Sequence, residues 1–242
     1  MINPYQKTGV IACGYTVAAL RSETQIKPVI GNRDWHHVAW GTSEMPGRLP
    51  MAAYLTLKLN AEIIFFGTGA SQVDGMWEAE FSRNHLLVNF DNLYSFELFK
   101  EFNDYGYHDR IYARNMVFDR SEIDISCQNT YEEIYNALRS FAKQDIKNAV
   151  IVSNPSHTPR ISKLASVINR SFFKNHFIVM VVPCVSDFAD KDQTLIFEPR
   201  SGPGRLPKVN PIKVFGEFSE VPTDKQPNCL KEIQAIIVKH IV

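Results

Sequence analysis

The chain has 242 residues, 45% hydrophobic and 21% charged, with 26 Lys+Arg balanced by 26 Asp+Glu. That composition belongs to a folded globular protein, and the length suits a single α/β domain over 1–242 better than two independent ones. A zero formal charge gives no electrostatic reason to expect nucleic acid or an anionic membrane as partner. The four cysteines, Cys13, Cys127, Cys184 and Cys229, lie far apart and form no Cys-x-x-Cys pair, which removes support for a zinc ribbon or a thioredoxin-type centre. The opening "MINPYQKTGVIACGYTVAAL" lacks a convincing signal peptide, and no run approaches the 20 or so apolar residues of a membrane span. The expectation is a cytoplasmic protein with reduced thiols and no membrane span.

In chain order, "GVIACGY" (9–15) is a near-continuous apolar run of the kind that fits a strand buried on both faces. "RLPMAAYLTLKLN" (48–60) predicts a helix with Pro50 near its start, where a missing N–H costs nothing. "AEIIFFG" (61–67) predicts a second buried strand, and "IYARNMVF" (111–118) a weaker one. "TYEEIYNALRSFAK" (130–143) repeats apolar residues at helical spacing, and its Thr130-x-x-Glu133 reads as a capping box. "NAVIVS" (148–153), a helix over 159–172 and "FIVMVVP" (177–183) complete a β–α alternation. Residues 199–228 hold six of the thirteen prolines and read as a loop or lid excursion, with one weak strand at 211–218. A helix over 230–241 closes the chain. This alternation predicts a doubly wound, mostly parallel sheet flanked by helices, a Rossmann-like three-layer sandwich.

In such sheets ligands bind beyond the carboxyl ends of the strands. Gly14 follows the first strand. Gly67 and Gly69 follow the second, where glycine admits a close approach to phosphate or ribose or simply makes a tight turn; with Gln72 in place of a third glycine the dinucleotide fingerprint fails. Arg48 opens a helix, a position where its charge opposes the helix dipole, which hints at an anionic partner. Glu78, or less favourably Glu80, follows the second turn. Ser126, Asn129, Thr130 and Glu133 surround the start of the 130–143 helix, where amides point at an anion. "VIVSNPSHTPRI" (150–161) ends a strand in Ser153, His157 and Arg160. Ser156 or Thr158 would cap the next helix; Arg160 carries a planar fork suited to phosphate or carboxylate, and His157 titrates near neutrality. His36 and His37 lack the i, i+4 spacing of a helical metal pair, so no metal site is expected.

The order of these motifs, covering roughly residues 9–185, resembles the YdcF/SanA/ElyC-like family, a bacterial group catalogued as a domain of unknown function. The carriers are Gly14, Arg48 at a helix start, "AEIIFFGTGAS", Glu78, the "S-x-x-N-T-x-x-E" at Ser126, Asn129, Thr130 and Glu133, and a strand ending in Ser153, His157 and Arg160. The chain departs from the family pattern at "ACGYTVAAL" and over 21–47. The resemblance implies a Rossmann-like fold with a polar pocket at the strand ends, S-adenosylmethionine as a candidate cofactor or ligand, and a link to bacterial envelope physiology.

Three functions fit these residues. One is a small-molecule enzyme, a hydrolase or transferase, acting on a nucleotide-like or phosphate-bearing ligand. In it Arg48 and Arg160 hold the anion, Asn129 and Thr130 add hydrogen bonds, His157 is general acid or base and Glu78 orients a water or the histidine. Another is a non-catalytic protein that senses a nucleotide or S-adenosylmethionine with the same residues. The third is an interaction protein working through 199–228, where Arg200, Arg205 and Lys208 occur without aromatic anchors.

Overall fold

The computed structural model describes residues 5–14, 35–42, 44–73, 75–102, 106–155 and 157–185. The proline-rich segment 199–228, the strand expected at 211–218 and the helix expected at 230–241 lie outside the described residues. Among the described residues, five strands form the main sheet: β1 (Thr8–Ala12), β2 (Ile63–Phe66), β3 (Ser121–Ile123), β4 (Asn148–Ser153) and β5 (Ile178–Pro183). Their order is β3-β2-β1-β4-β5, and every neighbouring pair is parallel. The fold is therefore the doubly wound three-layer α/β architecture expected from the sequence.

Burial explains why the strand sequences are apolar throughout. Val10, Ile64 and Val150 face one side and pack with Leu49, Ala52 and Leu86 from helices α2 (Arg48–Lys58) and α3 (Glu78–Val88). Ile11, Phe65 and Ile151 face the other and pack with Ile134, Leu138 and Phe141 of α5 (Thr130–Lys143) and Ile161 and Ala165 of α6 (Thr158–Phe173). Successive strand residues point to opposite faces, so a sheet covered on both sides needs apolar residues at every position. A one-turn helix, α1 (Trp35–Ala39), precedes a two-residue hairpin, and a second such hairpin lies between β2 and α3.

The weak strand expected over 111–118 is instead part of a helix, α4 (Tyr107–Asp119). Its buried residues are Ala113 and Val117, one turn apart, while Ile111, Tyr112 and Phe118 are exposed. Apolar side chains on the outer face erase the helical period and leave an apparently continuous apolar run. Phe90–Ser95 and Glu97–Phe102 form 3-10 turns whose Phe90 and Phe99, with Phe96 between the two turns, join the core.

The chain moves outward from β1 through β2 to β3, then returns to lay β4 against the other side of β1. That reversal sets the carboxyl ends of β1 and β4 side by side, and in open α/β sheets such a switch point is where ligands bind. Cys13 N donates to Val152 O at 3.1 Å, so the two strands stay paired up to that edge.

Candidate functional site

Gly14 leaves β1 at this edge, and the side chains against it, Thr68, Glu78 and Glu133, come from three other parts of the chain. Its amide donates to Glu133 Oε1 at 2.8 Å, across 119 positions of sequence. A Cβ on Gly14 would lie 2.3 Å from the Thr68 methyl and 3.3 Å from Glu78 Oε1. Glycine is required here because the turn after β2 and the start of α3 close on it.

Glu78 is fully buried, and its two carboxylate oxygens have separate donors. Arg48 Nη2 donates to Oε1 at 3.2 Å, and Ser71 Oγ donates to Oε2 at 2.9 Å. Arg48 is itself only 1% exposed, so the cation that opposes the dipole of α2 is compensated by this ion pair. Glu80 is used differently: its Oε2 accepts from Trp77 N and caps α3. The structure thus separates the two glutamates, Glu78 buried against Arg48 and Ser71 and Glu80 at the helix end.

His157 stands after β4, 3% exposed. Ser153 Oγ lies 3.3 Å from Nδ1 and Thr130 Oγ1 lies 3.5 Å from Nε2, so hydroxyls face both ring nitrogens. Burial, followed by the nearby charges of Arg160 and then Arg48, pushes its pKa down to about 3. The imidazole is therefore neutral at pH 7, with burial as the main cause and the charges of Arg160 and Arg48 acting in the same direction. Arg160 is half-buried on the first turn of α6. Asn154, buried beside Ser153, donates from Nδ2 to Val38 O at 3.2 Å and so anchors α1 to this turn.

The start of α5 differs from the sequence expectation. Its N-cap is Asn129, whose Oδ1 accepts from Glu132 N at 3.0 Å, and Glu132 reaches back to Gln128 N. Asn129-x-x-Glu132 and Thr130-x-x-Glu133 have the same spacing, and the first pair does the capping. Thr130 and Glu133 are left to face His157 and Gly14. Ser126 is exposed and hydrogen-bonds Asp124 through its hydroxyl and amide. In α6 the N-cap position is His157 with no side-chain cap; Thr158 Oγ1 donates to Asn154 O at 3.0 Å, and Ser156 lies outside the described residues.

Gly67 and Gly69 also have internal neighbours. A Cβ on Gly67 would lie 2.3 Å from the Phe65 ring and 3.0 Å from Glu133 Cγ, and one on Gly69 would lie 1.7 Å from the Ile125 carbonyl oxygen. Gly69 N donates to Cys127 O at 2.7 Å, which ties the turns after β2 and β3 together. Cys127 itself is buried, and its thiol is pushed well above its usual range by that burial, then by Glu133 and Asp124. It therefore stays protonated at neutral pH.

Gly14, Arg48, Glu78, Thr130, Glu133, Ser153, His157 and Arg160 thus gather at one edge, whereas Ser126 and Asn129 are held by local turn bonds. Ser71 and Thr68, which complete the setting of Glu78 and Gly14, carry no sequence signal beyond belonging to a glycine-containing turn. Among the described residues no cluster of three or more His, Cys, Asp and Glu side chains suits a metal ion, and no helix is long and apolar enough to cross a membrane. Comparison with family models, with curated proteins and with solved structures returned no match.

Proposed function

We propose that the protein is a small-molecule enzyme, a hydrolase or transferase, acting on a nucleotide-like or phosphate-bearing ligand at the crevice between β1 and β4. The observation that carries this proposal is the burial, at the strand ends where open α/β sheets in general take ligands, of the Arg48–Glu78 ion pair together with a neutral His157. A fold gains little from such groups. Replacing a buried ion pair by packed apolar residues is often neutral or stabilising, so its presence at this edge points to chemistry.

In this account the negative group of the ligand lies against Arg160, with Arg48 adding field from behind and the Thr130 hydroxyl adding a hydrogen bond. An anion brought next to His157 offsets the two guanidinium charges and raises the imidazole pKa toward the working range of a general acid or base. Glu78 fixes Arg48 and, through it, the field at the imidazole.

A second assignment draws on the same low pKa. With hydroxyls at both ring nitrogens, His157 serves as a hydrogen-bonding group only, and the protein binds or senses a nucleotide or S-adenosylmethionine without turnover. Membership of the YdcF/SanA/ElyC-like family is part of the first proposal, and a link to bacterial envelope physiology is part of this second one.

Thermal-shift titrations of the full chain with inorganic phosphate, AMP, ATP and S-adenosylmethionine test both. A ligand of the crevice should lose tenfold or more in affinity in Arg160→Met. His157→Gln then separates the two assignments: an enzyme keeps binding and loses turnover, while a sensor keeps binding and has no turnover to lose. Binding of every probe unchanged in Arg160→Met would reject the crevice as the ligand site.

A further inference from the structure

The glycines at the ends of β1 and β2 stand where a doubly wound sheet brings ligand phosphates closest to its backbone. In this protein that space has an internal occupant. Because Gly67 has no side chain, the Glu133 chain crosses the end of β2, its Cγ 3.0 Å from where a Gly67 Cβ would be. It then reaches the Gly14 amide, which donates to Glu133 Oε1 at 2.8 Å. On the other side of Gly14, Glu78 Oε1 lies 3.3 Å from the position of a Cβ. Glu133 is 2% exposed and Glu78 is fully buried. Two carboxylates shielded from water therefore flank the first βα turn, one of them bonded to the amide a phosphate would use. Repulsion between like charges at such distances, away from bulk solvent, is strong.

We propose that Glu133 is a specificity-determining residue: its carboxylate takes the place of a ligand phosphate on the first βα turn and bars anions from it. The inference rests on the assignment above that the ligand binds at this sheet edge. It narrows the ligand class to molecules with one anionic end, received at the β4–α6 turn beside Arg160, and with hydrogen-bond donors such as sugar hydroxyls or an amine toward β1. Diphosphates and dinucleotides, whose paired phosphates would span both turns, are excluded.

The test uses inorganic pyrophosphate and the full chain, titrated calorimetrically into the wild type, Glu133→Gln and Arg160→Met. Glutamine keeps the shape and an acceptor for the Gly14 amide but removes the charge. Glu133→Gln is expected to bind pyrophosphate at least tenfold more tightly than the wild type, and the Gly14 amide resonance should move on addition in the variant only. Unchanged affinity in a folded Glu133→Gln protein overturns the inference. So does a pyrophosphate-induced shift of the Gly14 amide in the wild type, a measurement that holds even where the variant does not fold. Arg160→Met reports on the β4–α6 turn separately, through its affinity for inorganic phosphate, a single anion that the wild type should accept there. A gain in Glu133→Gln with no loss in Arg160→Met upholds the role of Glu133 and rejects the proposed anion position. The reverse pattern rejects Glu133 and keeps that position.

Discussion

The Arg48–Glu78 pair illustrates how one buried charge constrains another. Each side chain is 1% exposed, so removing either leaves the other uncompensated in a medium that solvates it poorly. Arg48→Met or Glu78→Leu alone is expected to cost about 3–5 kcal/mol, whereas the two substitutions together should recover most of that loss. Urea denaturation of the four proteins gives the cycle, and additive single effects would show that the pair is not coupled. His157 makes a different prediction. Its folded pKa of about 3 lies below the unfolded value of 6.5, so between those values the unfolded chain holds a proton that the folded one does not. Stability from this group is complete above pH 6.5 and falls as the pH drops toward 3, by up to about 1.4 kcal/mol per pH unit. His85, held to about 4 by burial and then by His36, adds a slope of the same sign. Chemical denaturation between pH 4.5 and 7.5 should therefore show a shallower slope for His157→Gln than for the wild type. Equal slopes would mean that the folded imidazole takes up its proton normally.

At the scale of elements, α5 gives the clearest case of a local signal settled by tertiary contact. Its apolar period over 130–143 is fully legible, because Ile134, Ala137, Leu138 and Phe141 all reach the core. The cap is legible only to within one residue. Asn129 and Thr130 are both good N-caps with a glutamate three positions on, and what decides between them is that Thr130 faces His157 and Glu133 faces Gly14. Asn129→Ala should destabilise the protein by about 1 kcal/mol and Asn129→Ser by much less, read from thermal or urea unfolding. An Asn129→Ala protein as stable as the wild type would move the cap elsewhere. Where the sequence signal failed, the cause is equally local. In α4 exposed Ile111, Tyr112 and Phe118 masked a narrow buried stripe of Ala113 and Val117. The strand β3 has three residues, too few to display a period. Gly67 and Gly69 were legible as special positions, but nothing in the sequence shows that Gly69 faces the Ile125 carbonyl and Gly67 the Glu133 chain. Gly69→Ala should cost about 1–3 kcal/mol through that backbone contact, checked by denaturation.

On the scale of the whole molecule, one topological fact organises the rest. Five parallel strands in the order β3-β2-β1-β4-β5 must reverse direction once, and the reversal places the ends of β1 and β4 side by side. Residues far apart in sequence, at 14, 48, 78, 130, 133, 153 and 157, then share one edge because each follows a strand or opens a helix there. The apolar alternation in the sequence predicts the sheet, and the sheet predicts the edge. The pairings across that edge depend on side-chain reach and have no counterpart in sequence spacing. The opposite edge, around Asp145–Lys147, has an ion pair between exposed Asp145 and half-buried Lys147 instead of a fully buried one. This asymmetry yields a prediction about the whole chain. A ligand held at the β1–β4 crevice at 100 times its Kd should raise stability by about 2.7 kcal/mol. Its hydrogen-exchange protection should concentrate in the first turns of α5 and α6, residues 130–133 and 157–161, and leave residues 144–147 unchanged. Folded-state binding raises global protection everywhere to the same extent, so the comparison belongs under conditions where exchange proceeds by local opening. Protection centred on 144–147, or on the exposed face of α4, would place the ligand away from the crevice and remove the reason for its buried charges.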